Sequence, residues 1–159
     1  MGIVTALRDL RTVRALLTGA EAESRSAGEP VPGPEHLLLA ATALPDGTAA
    51  AALARVGVDA AQLRTAIEAA HAAALASVGV AADADGGGLQ GPATGPMRST
   101  PQAQRVFRQA VAAARAARSP LRGTHVVVAV CDLEHGATAR ALAALGVDRE
   151  ELRAAALSG

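Results

Sequence analysis

A displacement of 89 residues lays the second half of this chain on the first, and no other feature restricts the fold as much. At that offset His36 meets His125, Gly47 meets Gly136 and Leu53 meets Leu142. Gly57-Val58-Asp59 falls on Gly146-Val147-Asp148, and Leu63-Arg64 falls on Leu152-Arg153. A fixed offset that keeps caps, stops and apolar positions together marks one structural unit used twice.

The unit is helical. Half of the 159 residues are apolar, but most of these are alanine, and Phe107 is the only aromatic. Alanine, leucine and arginine favour helices, and β-branched and aromatic residues are too few for a large sheet. The expected class is therefore all-α. Leu7, Leu10, Val13, Leu16 and Leu17 recur at spacings of three and four, which predicts a first helix from about Val4 to Ala27 with one apolar stripe. Gly28 to Pro34 breaks it, and Pro34 suits the first turn of a second helix over Glu35–Leu44. A third helix is predicted over Thr48–Val56 before Gly57, and a fourth runs from the cap Asp59 to about Val78. Residues 1–79 thus form the first repeat. Residues 80–99 are rich in Gly, Ala and Asp without apolar periodicity and read as a flexible linker. Residues 100–159 form the second repeat, and the two together make one domain. Its helices are predicted from Thr100-Pro101 to Arg118, over Val126–Leu133, over Gly136–Leu145 and from Asp148 to Leu157.

Charge excludes several functions. The 15 basic residues are all arginine and balance 15 acids, with the acids concentrated before residue 98 and the arginines after it. Without lysine there is no phosphate-binding G-x-x-x-x-G-K-[ST] loop, no Schiff base and no lysine general base. No Ser/His/Asp set stands in a recognisable context, so the expectation is a chain that is not an enzyme and needs no cofactor. Cys131 permits no internal disulfide, Arg8 and Asp9 interrupt the N-terminus before an apolar stretch develops, and the run Ala69–Ala82 is too short for a bilayer. These features predict a cytoplasmic protein. Cys131 and His135 stand four apart, but no second pair supplies further metal ligands, so the expectation is a buried thiol and a loop histidine. The matched His36 and His125 suggest a shared structural task, such as bonding a loop carbonyl.

Gly33-Pro-Glu-His-Leu-Leu-Leu-Ala40, Leu145-Gly-Val147 and Thr100-Pro-Gln-Ala-Gln-Arg-Val-Phe107 resemble motifs of the repeated N-terminal domain of Clp unfoldases. The likeness covers almost the whole chain. It implies eight helices in two pseudo-twofold-related four-helix units, and a protein- or peptide-binding module whose ligands are adaptors, substrates or cyclic peptides. Some members of that family bind phosphorylated arginine through the glutamate of each Gly-Thr-Glu-His motif, because a carboxylate pairs bidentately with a guanidinium. Glu35 keeps that position here. In Arg122-Gly-Thr-His125 either Thr124 or His125 stands there, depending on a one-residue gap, and about Leu10 replaces an early threonine of the first helix. Cyclic peptides bind the family on an apolar surface by the long helices, where Phe107 is the one aromatic available. Thr100, Phe107, Glu35, Thr124 and His125 are accordingly the candidate ligand residues. Separately, Arg108, Arg115 and Arg118 form a basic stripe with Arg105 at its edge, suited to an acidic partner, and nucleic acid is the weaker version of that reading.

Overall fold

A computed structural model describes residues 2–78 and 99–159. The described residues form eight α-helices and no strand: α1 Ile3–Ser26, α2 Pro34–Thr42, α3 Thr48–Arg55 and α4 Ala60–Ser77, then α5 Pro101–Ala116, α6 Gly123–Val130, α7 Ala137–Ala144 and α8 Arg149–Leu157. The starts of α6, α7 and α8 repeat those of α2, α3 and α4 at the offset of 89. The long helices instead match at 90, where buried Leu16, Ala20 and Ser24 correspond to buried Val106, Ala110 and Ala114. The one-residue gap therefore lies in the loop between the first and second helices of each repeat. It pairs Thr124 with Glu35 and His125 with His36.

Apolar residues surround α2 and α6 on nearly all sides, and a helix of that kind is stable only when enclosed. Pro34 to Ala41 are all buried, and so are Val126, Val127, Ala129 and Val130. These two helices pack on each other at the centre, with α1 laid over α2 and α5 over α6. The fourth helices reach across to the other repeat, α4 packing chiefly on α7, and α8 on α3 as well as on its own α6. Each repeat thus completes the other's core, and one cluster from Leu16 to Ala156 joins both.

Most helix ends follow the sequence. Asp59 and Gln62 exchange side-chain bonds with each other's backbone N–H, and Asp148 caps the amides of Glu150 and Glu151. Gly57 and Gly146, at φ +79° and +72°, end the third helices in the left-handed region, with the valine N–H that follows bonded five residues back. Four expectations need correction. First, α6 begins at Gly123 and ends at Val130, three residues before each predicted limit, because His125 closes its first turn. Second, Arg118 lies past the end of α5 with φ +53°, so it does not continue the helical stripe of Arg108 and Arg115. Third, the predicted apolar stripe of α1 enters the core only from Val13 onward: Leu7 and Leu10 are 52% and 65% exposed. The part of α1 before Arg11 has no counterpart in α5 and reaches beyond the helices that could cover it. Fourth, Ser99, the last residue of the predicted linker, is buried and its carbonyl accepts from Gln104; residues 80–98 of that segment lie outside the described residues.

Candidate functional site

The second helix of each repeat opens in the same way. His36 Nδ1 accepts the Gly33 N–H at 2.9 Å, and His125 Nδ1 accepts the Arg122 N–H at 3.0 Å. The matched histidines therefore receive a backbone proton and do not bond a carbonyl. Each satisfies one of the amides that a helix start leaves open. Burial lowers both imidazole pKa values, in keeping with neutral rings.

Beyond the histidines the two openings diverge. In the first repeat Glu35 is 7% exposed. Its Oε1 lies 2.9 Å from His71 Nε2, and Thr138 Oγ1 of α7 lies 3.5 Å from its Oε2. His71 is in turn held by Glu29 at 2.8 Å, and its ring stands edge-on to His36 with centroids 5.9 Å apart. The Glu35 carboxylate is thus engaged within the fold. In the second repeat Thr124 replaces it, and the start of α6 is capped from the other repeat. Asp46 Oδ2 accepts the Gly123 N–H at 3.2 Å, and Thr48 Oγ1 accepts the Thr124 N–H at 3.1 Å. Asp46 Oδ1 also accepts from the backbone and hydroxyl of Thr48, at 2.8 and 2.6 Å.

Beside this cross-cap opens a cavity of about 760 Å³, within the ~300–1,000 Å³ range of small-ligand clefts. Its apolar lining comes from Ala15 of α1, Leu44 and Pro45 of the α2–α3 turn, and Pro120 and Leu121 of the α5–α6 loop. Arg8 and Arg11 line it from α1, and Arg122 from the loop. Asp9 Oδ1 fixes the loop against α1 by accepting the Leu121 N–H at 3.0 Å. A shallower groove of about 570 Å³ runs along another face of α1, past Leu7, Leu10, Val13 and Leu17.

The other sequence candidates are dispersed. Thr100 caps α5 by accepting the Ala103 N–H at 3.1 Å, and its own N–H reaches the Pro32 carbonyl at 2.9 Å. Phe107 is half-buried on α5, packed against the core. Arg105, Arg108 and Arg115 are exposed on α5, and Arg118 is exposed just beyond it. Cys131 is buried, which pushes its thiol up to about 11, while His135 stands exposed in the next turn. No three His, Cys, Asp or Glu side chains among the described residues gather as a metal site. Sequence reasoning missed Arg8, Arg11, Leu44 and Arg122. The available signal was Arg8-x-x-Arg11 on one helix face, together with an arginine where the first repeat has Gly33.

Comparison with known proteins agrees with this architecture. A model of the Clp repeat (R) N-terminal domain family matches residues 11–85, beginning where α1 comes into register with α5. No curated protein gives a significant match. Among solved structures, the N-terminal domain of the caseinolytic protease-associated chaperone ClpD from Arabidopsis thaliana shares the fold, with a TM-score of 0.59 at 23% identity. The alignment covers 95% of this chain and 90% of that one. No described helix is long and apolar enough to cross a membrane. The first repeat thus matches the Clp repeat N-terminal domain model in sequence, and both repeats together share the fold of such a domain.

Proposed function

We propose that this chain is a non-enzymatic protein- and peptide-binding module that acts as adaptor, regulator or decoy in Clp-dependent proteolysis. The observation that carries the reading is the cavity between α1, the α2–α3 turn and the α5–α6 loop, on a fold whose family receives proteins. Thr124 and His125 contribute through the start of α6 beside it, Glu35 braces the start of α2 from within the fold, and Thr100 ties α5 to the first repeat. The work of such a module is recognition without turnover. The test is degradation of a substrate by a Clp unfoldase–peptidase pair with this protein titrated in. A decoy slows adaptor-dependent degradation and an adaptor accelerates it. An unchanged rate at every ratio, up to a large molar excess, would sink the proposal.

A second reading has its own support on α5. Arg105, Arg108 and Arg115 are exposed, and none has a carboxylate within 4.0 Å among the described residues. Half-buried Phe107 lies on the same helix, so this face suits an acidic partner, with nucleic acid or a hydrophobic cyclic peptide as weaker ligands. A gel shift at physiological salt, lost when the three arginines become alanine, would favour nucleic acid.

A further inference from the structure

We infer that the cavity beside the cross-cap takes the acidic stretch of a linear peptide, a carboxylate meeting Arg8, Arg11 and Arg122 while small apolar side chains rest on Leu44, Pro45 and Leu121. This rests on the binding-module reading and names the ligand of its site. The charge balance comes first. Among the described residues none of the three arginines has a carboxylate within 4.0 Å. Two acidic charges stand nearby, but three arginines outnumber them, and their bonds turn them to neutral donors: both oxygens of Asp46 serve the starts of α3 and α6, and Asp9 Oδ1 holds the Leu121 amide. Guanidinium groups left over on the wall of an apolar cleft match carboxylates, to which their planar donors bond in pairs.

The comparison between repeats shows why the cavity takes this form on one side only. In the first repeat the residue before the second helix is Gly33, and a Cβ there would lie 2.6 Å from Glu35 Oε1. That position is closed by the protein's own carboxylate. In the second repeat Thr124 removes the carboxylate, and exposed Arg122 replaces the glycine. One repeat thus supplies an internal acid where the other presents a base. A cleft of about 760 Å³ fits a few residues of extended chain and not a folded surface. The only aromatic, Phe107, is absent from the cavity lining, which leaves no platform there for a base to stack on.

Fluorescence anisotropy tests this with a labelled Ala-Leu-Glu-Asp-Leu-Ala peptide, its Gln-Asn counterpart and a labelled single-stranded oligonucleotide. The acidic peptide should bind about tenfold more tightly than the amide form and weaken as salt is raised. Arg11→Ala and Arg122→Ala should each cost about tenfold while Arg108→Ala on α5 costs nothing measurable. Arg11 and Arg122 are both exposed, so thermal melts of their variants should overlay the parent. Equal binding of the two peptides, an equal loss in Arg108→Ala, or tighter binding of the oligonucleotide would overturn the inference. So would displacement of the peptide by an equimolar amount of inorganic phosphate, which would make this a small-anion site. Peptide discrimination with no effect on Clp degradation would sink the proteolytic role alone. An effect on degradation without discrimination would sink this ligand alone.

Discussion

His36 and His125 each stand three residues after a helix cap and return a ring nitrogen to the cap's own amide, where a glutamate or glutamine ordinarily serves. An imidazole can accept that proton only while neutral at Nδ1, so both caps are sensitive to acid. Burial holds both pKa values below the ordinary 6.5, and the unfolded chain therefore binds protons that the folded chain refuses. The linked stability is fully present above pH 6.5 and is lost as the pH falls through 6.5 towards the folded values. Melting curves from pH 7.5 to 5 should show Tm falling, and the double variant His36→Gln/His125→Gln should start lower and fall less. A slope unchanged by the double variant would refute the assignment. Arg118 offers a test of the opposite sign. Its left-handed φ of +53° ends α5 where Gly28, at +74°, follows α1. Arg118→Gly should stabilise the fold by roughly 0.5–1 kcal/mol in denaturant titration, since glycine adopts that conformation without strain.

The helices show what local sequence determines and what it leaves open. Thr100, Asp59 and Asp148 cap helices as their side-chain chemistry predicts, and Gly57 and Gly146 end them. Those signals act within four or five residues and can be read without tertiary structure. The start of α6 cannot. It depends on a histidine turning back and on Asp46 and Thr48 arriving from more than seventy residues away. Leu7 and Leu10 failed in the other direction: a periodic stripe shows that a helix is amphipathic, not that a neighbour reaches its whole length. Close packing at α6 gives a further prediction. A Cβ on Gly123 would lie 2.7 Å from Ala49 Cβ and 3.1 Å from the Ala41 carbonyl oxygen. Gly123→Ala should therefore destabilise by about 1–3 kcal/mol despite its gain in helix propensity, as equilibrium unfolding can measure.

Across the whole molecule, the repeat and the all-α class were legible because duplication preserves caps and core positions together. The cavity was not. Its walls come from α1, a turn that read only as a helix stop, and the loop before α6, and no spacing in the chain announces that they meet. The exchange of fourth helices was equally hidden. Because α4 packs chiefly on α7, and α8 packs on α3 as well as on α6, a fragment covering 2–78 or 99–159 loses a helix that covers its own fourth helix, where Leu63 and Leu152 are buried. Each fragment alone should show little helix by circular dichroism, and an equimolar mixture should recover it; a cooperative melt from either one alone would contradict this. The same exchange decides how the domain bears load. Arg55 of α3 donates to the Ala155 carbonyl at 2.6 Å and to Ser158 Oγ at 3.3 Å, gripping the last turn of α8. Tension entering at Gly159 is therefore shared between the two halves, because α8 packs on both α3 and α6, and the last helix cannot peel away without breaking the hold of Arg55 on one side and of α6 on the other.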